Sequence, residues 1–158
     1  NYPQAQFDMV RLGIGLYGVS NDENETKELE NVGTLKSIIS QIRTLNSGES
    51  VGYNRRFRVE KPTKIATIPI GYADGISRAW GNGVGYVLIN NQKAAIVGSI
   101  CMDMLMVDVT DINCLEGNEV IIFGKNPSVT TIAKAIHTIP YEILTSISGR
   151  VKRVFYRE

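Results

Sequence analysis

The chain has 158 residues, 43% hydrophobic and 21% charged, with two cysteines and a formal net charge of +1. Ordinary apolar content and near-zero charge exclude a disordered chain, and no apolar run approaches the roughly 18–20 residues of a membrane span. The balance of 17 basic against 16 acidic side chains argues against a dedicated nucleic-acid binder, and two cysteines are too few for a disulfide scaffold or a four-ligand metal site. The length suits one domain. The chain opens at Asn1 with no signal peptide, and is read as a piece of a larger cytosolic protein.

Residues 1–18 end in a short apolar run closed by Gly18, which fits a buried strand followed by a turn. Asn21–Glu30 is polar and acidic without an apolar period, and is expected to be a solvated connector. Over Thr34–Leu45 the pattern is ambiguous. Leu35, Ile38, Ile39 and Ile42 fall at helical spacing, while frequent Thr, Ser and Ile favour a strand.

The rest reads as short strands stopped by glycines. Lys64–Ile70 is a strand ended by Gly71, and Gly85–Val97 is a hairpin turning at Asn90-Asn91-Gln92. Leu105, Val107 and Val109 face one way, with Met106, Asp108 and Thr110 facing the other. Glu119–Phe123 is a strand ended by Gly124. Ser128 can cap a short helix presenting Ile132, Ala135 and Ile136 on one face. Pro140 can start another, with Ile143, Leu144 and Ile147 inward, and Arg150–Tyr156 closes the chain as a strand. These elements predict a mainly β fold: a barrel- or sandwich-like domain of six to nine short strands, with one or two short helices near the C-terminus.

Most signatures of chemistry are missing. His137, the one histidine, lies late in a short helix and reads as a surface or cap residue, so no Ser-His-Asp triad is built within the chain. Cys101 and Cys114 read as buried small hydrophobes, and no metal site is expected. Three segments stand out. In Arg11-Leu12-Gly13-Ile14-Gly15 an arginine precedes two glycines whose backbone N–H groups can approach an anion; the plainer reading is a glycine-rich strand end. In Val51-Gly52-Tyr53-Asn54-Arg55-Arg56-Phe57 a tyrosine sits among cations that would lower a phenol's pKa; the plainer reading is an aromatic packed on a basic edge. Gly71-Tyr72-Ala73-Asp74-Gly75 and Ser99-Ile100-Cys101-Met102-Asp103 place polar groups directly after strands, where functional loops emerge.

Taken in order, RLGIGLYG, VGYNRRF, IPIGYADG, VGSICMDMLMVDVT, GNEVIIFG and IPYEILTSISGRVKRVFYRE resemble the C-terminal domain of the alanine racemase family along essentially the whole chain. The resemblance implies that residues 1–18 are the tail of an N-terminal (β/α)₈ barrel that binds pyridoxal 5′-phosphate (PLP), and 19–158 the C-terminal β domain. It also favours a strand over Thr34–Leu45. It implies a cytoplasmic, PLP-dependent enzyme that interconverts L- and D-alanine for peptidoglycan, with the cofactor lysine outside this chain.

By the same resemblance Tyr53 is the base that handles the L-alanine proton, and the Met102 backbone meets the substrate carboxylate. Arg11 faces the PLP ring nitrogen, while Gly13, Ile14 and Tyr141 serve its phosphate. Tyr72, Arg78 and Ile139 line the channel by which substrate arrives, and Asp103 shapes the loop beside Met102. The family also implies a homodimer whose active sites are shared between subunits, with alanine as substrate and no nucleic-acid or membrane partner. On its own this piece is expected to be inactive. The alternatives are a serine or broad-specificity racemase, disfavoured by the bulk of Tyr141; a fusion of the racemase with a peptidoglycan ligase; and a non-catalytic β-barrel dimerisation module.

Overall fold

The computed structural model describes residues 3–20 and 22–156, which fall into two compact units, Asn1–Gly33 and Thr34–Glu158. The first unit carries 3₁₀ turns at Pro3–Ala5 and Ile14–Tyr17 and one helix, α1, at Glu23–Glu28. The strand expected at the end of 1–18 is absent. Glycines at 13, 15 and 18 leave little side chain to pack on a pleated sheet, and the backbone closes on itself instead: Leu16 N–H donates to the Gly13 carbonyl and Gly18 N–H to the Gly15 carbonyl. Gly18 ends the turn at φ 73°, with the Glu30 carbonyl oxygen 1.8 Å from where a Cβ would stand, so glycine is required there.

The connector expected over 21–30 is also corrected, since α1 occupies its centre. Asp22 supplies the start: its Oδ1 accepts from Asn24 N–H at 2.7 Å and Glu25 N–H at 3.1 Å. The helix has no apolar stripe because its described side chains lie mostly in solvent, which is why periodicity does not reveal it.

The described residues of the second unit form nine strands: β1 Leu35–Ile38, β2 Gln41–Leu45, β3 Ser50–Val51, β4 Phe57–Arg58, β5 Thr63–Ile68, β6 Tyr86–Ile89, β7 Gln92–Val97, β8 Leu105–Asp108 and β9 Glu119–Phe123. Seven of them form one antiparallel sheet in the order β1-β9-β6-β7-β8-β5-β2. The two edge strands, β1 and β2, are joined only by Ile39 and Ser40. Two residues span at most about 7 Å, so the sheet must curl until its edges approach. Ile39 N–H donates to the Asn118 carbonyl beside β9, and Ser40 N–H to the Thr67 carbonyl on β5. This short link ties both edges together, and the stretch 34–45 is thus two strands.

Inside the curl lies a cluster that includes Ile39, Ile68, Val87, Ile89, Ile96, Leu105, Val107 and Ile122. Each such side chain contributes about 1.5–3 kcal/mol when fully buried. Val51, Ile65, Val97 and Met106 form a second, smaller cluster with Leu45, Phe57 and Cys101 packed against it. The alternation along β8 is as expected, with Leu105 and Val107 in the main cluster and Met106 in the second. The hairpin turns at Asn90 (φ 50°) and Asn91 (φ 62°), left-handed positions that asparagine tolerates.

Two short helices lie against the main cluster, α2 at Val129–Ala135 and α3 at Pro140–Ser146. Ser128 caps α2 through Thr131 N–H. Val129, Ile132 and Ala133 of α2 are buried and Ile136 just after it packs on the same cluster, as expected for Ile132 and Ile136, whereas Ala135 is exposed, which corrects that one position. His137, exposed at φ 56°, closes α2: its N–H reaches the Lys134 carbonyl while Thr138 N–H reaches that of Ala133. No strand forms over Arg150–Tyr156. Arg153 instead turns its guanidinium onto the carbonyls of Ile147, Ser148 and Val151, and Phe155 and Tyr156 stay exposed.

Candidate active site

Tyr53 stands at the tip of the small β3–β4 hairpin, whose register pairs Ser50 with Arg58 and Val51 with Phe57. Val51 and Phe57 root the hairpin in the second apolar cluster. Gly52 leaves the strand at φ 72°, and Asn54 (φ 60°) and Arg55 (φ 50°) follow in left-handed conformations. This tight turn leaves Tyr53 70% exposed, over a cleft of about 430 Å³ that it lines with Gln41, Arg43, Cys101, Met104 and Met106. A phenol presented this way is available to a molecule outside the unit. Arg55 and Arg56, also exposed, add positive charge to the turn.

Cys101 and Met104, which close one side of this cleft, flank Met102. The Met102 loop is a tight reversal in which Cys101 N–H donates to the Met104 carbonyl at 2.9 Å. It is held by the segment 71–75. Tyr72 N–H donates to the Cys101 carbonyl and Ala73 N–H to the Met102 carbonyl, each at 3.0 Å. Gly71 permits the approach, because a Cβ there would stand 2.4 Å from both carbonyl oxygens. Met102, Asp103 and Tyr72 remain exposed.

Tyr72 also lines a second cleft of about 490 Å³, with Ser77, His137, Thr138, Glu142 and Ser146. Ile139 and Tyr141 lie in the adjoining segment, Ile139 as the residue before α3 and Tyr141 in its first turn. Pro140 fixes that first turn, and Thr138 Oγ1 hydrogen-bonds Glu142 Oε2 across it. Tyr141 is 41% exposed, and its hydroxyl has no hydrogen-bond partner among the described residues. Arg78 is exposed in a 3₁₀ turn that Ser77 caps through Ala79 N–H.

The second unit thus carries Tyr53, Tyr72, Arg78, Met102, Ile139 and Tyr141 on adjoining loops and clefts, all open to solvent. Arg11, Gly13 and Ile14 belong to the first unit. There Arg11 is exposed ahead of the 3₁₀ turn that Gly13 opens, and Ile14 buries its side chain. A hypothetical Cβ on Gly15 meets nothing within 4 Å, so the backbone of this turn is open to approach.

Arg150 escapes sequence reasoning, and Asp74 enters it only as a member of the 71–75 segment. Asp74, buried, accepts from Gly71 N–H through Oδ2 at 2.8 Å and from Arg150 Nε through Oδ1 at 2.7 Å. The same guanidinium donates from Nη2 to Asp103 Oδ1 at 2.5 Å. These bonds, that to Asp103 first, push the Arg150 pKa further above its ordinary value. The Gly71-to-Asp74 spacing was a visible sign of a self-capped turn; nothing local pointed to Arg150, which lies 76 residues from Asp74.

The cysteines are half-buried rather than fully buried, since both lie at the margin of an apolar cluster. Desolvation by burial raises both thiols, and it outweighs the opposing pull of Arg78 on Cys101 and of Lys64 on Cys114. Among the described residues no group of three or more His, Cys, Asp or Glu is placed to hold a metal ion, and no helix is long and apolar enough to cross a membrane.

Comparison with known proteins decides the family. Residues 32–155 match the family profile of the alanine racemase C-terminal domain. The chain belongs to the alanine racemase family. It is 43% identical over 158 residues to alanine racemase 2 of Caldanaerobacter subterraneus subsp. tengcongensis, covering 96% of this chain and 40% of that protein. It is 41% identical over 156 residues to alanine racemase of Helicobacter pylori strain J99, covering 94% and 41%. Among solved structures, alanine racemase from D-cycloserine-producing Streptomyces lavendulae matches with TM-score 0.90 at 35% identity, over 99% of this chain and 43% of that one. Alanine racemase from Bartonella henselae, solved with covalently bound pyridoxal phosphate, matches with TM-score 0.85 at 37% identity, over 91% and 40%. The chain therefore spans about two fifths of the length of the curated relatives it matches.

Proposed function

We propose that this chain is the C-terminal part of a PLP-dependent racemase that interconverts L- and D-alanine. Tyr53 is its base on the L-alanine side. The observation that carries the reading is the phenol of Tyr53, lifted into solvent by a left-handed turn and rooted by Val51 and Phe57. A catalytic base that serves a site completed by other residues must be projected and held still, and this hairpin does both.

Racemisation removes a proton from one face of the α-carbon and returns one to the other, so it needs two acid/base groups on opposite sides. Tyr53 is one. Arg55 and Arg56, exposed on the same turn, add positive charge beside it. The second base is the cofactor lysine, outside this chain. Met102, fixed by the Ala73 and Tyr72 amides, would offer its backbone N–H to the substrate carboxylate and so orient the α-hydrogen. Tyr72, Arg78 and Ile139 line the approach.

The residues present fit PLP on their donor chemistry. The Tyr141 hydroxyl is a donor without an acceptor among the described residues, the turn after Gly13 is open backbone, and Arg11 is an exposed cation. In the first unit Gly13 and Ile14 would serve the phosphate and Arg11, whose guanidinium carries donors only, the ring nitrogen; in the second unit Tyr141 would serve the phosphate. When bound, PLP withdraws electrons from the α-carbon and so acidifies its hydrogen. A phenol at Tyr141 also keeps the pocket sized for a methyl side chain, which favours alanine over serine.

Residues 1–18 are then the tail of the N-terminal barrel, and the whole enzyme is a cytoplasmic homodimer with shared sites that supplies D-alanine for peptidoglycan. The isolated 158 residues are inactive, because they lack the cofactor lysine. The test is Tyr53→Phe in the full-length protein. Loss of turnover from L-alanine by about 100-fold or more, with the fold intact, supports the assignment; an unchanged rate overturns it.

A further inference from the structure

We infer that Arg150 is a positioning residue for substrate recognition, clamping the Met102 loop through Asp103 and Asp74. The inference rests on the proposed role of the Met102 backbone. Three segments far apart in the chain meet at this guanidinium. Nε bonds Asp74, whose other oxygen caps Gly71, and Nη2 bonds Asp103, the residue next to Met102. The 71–75 segment grips Met102 from its other side, through the Ala73 amide on the Met102 carbonyl. Ser148 N–H donates to the Asp74 carbonyl, and Ser146 Oγ to that of Gly75, so the chain leading to Arg150 is itself fixed on the same turn. Met102 is therefore held on both flanks, by a backbone bond and by an ion pair one residue on.

The clamp has an electrostatic side as well. An unpaired Asp103 carboxylate beside Met102 would repel the carboxylate of an incoming amino acid, and Arg150 cancels that charge while fixing the loop. An error of a fraction of an ångström in the Met102 N–H should weaken the hold on substrate more than it slows proton transfer at Tyr53, which sits on a separate hairpin.

The experiment uses the full-length protein, with steady-state kinetics on L-alanine and hydrogen exchange at the Tyr72 and Ala73 amides. Asp103→Ala, which removes one arm but leaves the Arg150–Asp74 bond, should raise KM about tenfold with kcat within about threefold. Asp103→Asn keeps an acceptor oxygen and should stay within about twofold of the parent. Arg150→Gln should raise KM more than Asp103→Ala, and adding Asp103→Asn to it should bring KM back down. Exchange at Tyr72 and Ala73 should quicken in Asp103→Ala and Arg150→Gln. Unchanged KM and unchanged exchange in Asp103→Ala overturn the clamp even if Arg150→Gln fails to fold. Equal losses in Asp103→Ala and Asp103→Asn overturn the hydrogen-bonding role. A parent protein that does not racemise alanine overturns the functional reading instead, and exchange still tests the clamp.

Discussion

The α-carbon of Gly71 lies so close to the Met102 carbonyl that a side chain of any size would strike it: the oxygen stands 2.4 Å from where a Cβ would be. The atoms in the way are main chain, which cannot rotate aside, so one loop must move off the other. Gly71→Ala should cost about 1–3 kcal/mol by overpacking. Gly75→Ala should cost more. A Cβ on Gly75 would stand 2.3 Å from the Ser146 carbonyl oxygen, and Gly75 also sits at φ 105°, where a side chain adds backbone strain. Denaturant unfolding of the two variants in the full-length protein checks the order.

Leu105 and Lys36 make a contrasting pair on the same sheet. Leu105 is fully buried in the main cluster, and Leu105→Ala should destabilise by about 2–5 kcal/mol through lost burial and the cavity left behind. Lys36 bonds Glu119 at 3.0 Å across β1 and β9, with both side chains about half exposed. Solvent screens that pair, so Lys36→Ala should change stability by less than about 1 kcal/mol. Thermal unfolding resolves the difference.

Ser128→Ala removes the hydroxyl that accepts Thr131 N–H at the start of α2. The expected loss is about 1 kcal/mol, with Ser128→Asp largely restoring it, because a carboxylate also caps and suits the positive end of the helix. Chemical denaturation of the three proteins measures both changes.

Cys101 and Cys114 should alkylate slowly at pH 7. Burial raises both thiols above their ordinary value, so the reactive thiolate is scarcer than in a free cysteine at that pH and increases only as the solution becomes alkaline. Iodoacetamide labelling followed by peptide mass spectrometry at pH 7 and pH 9.5 tests this. Labelling at pH 7 as fast as that of a free thiol would contradict it.

What the sequence revealed followed the range of the forces involved. β9 was legible to the residue, and the β6–β7 hairpin nearly so, because alternation, β-branching and a glycine or asparagine stop all agree within ten residues. α1 was missed because a solvated helix has no apolar period, although Asp22 followed by Glu25 is a recognisable capping pattern. The segment from Arg150 onward has strand-like composition, but its arginines bond loops and carbonyls rather than a sheet edge. β3 and β4 are too short for any pattern, so the hairpin that lifts Tyr53 was invisible. The site residues came from motif resemblance. The Arg150 clamp joins positions 74, 103 and 150, and no local window contains all three.

The two-residue link between β1 and β2 governs how the molecule assembles. β1 pairs with β9, Leu35 against Phe123, so the first strand of the sheet has no partner until the last has been synthesised. Such distant pairing is slow to find. On the ribosome β2, β5, β8, β7 and β6 can zip together while β1 waits. The closing event is then the arrival of β9 in the remaining gap, and until it docks the nascent chain carries an unsatisfied strand beside an exposed apolar interior, the state in which it is most exposed to aggregation and most dependent on chaperones.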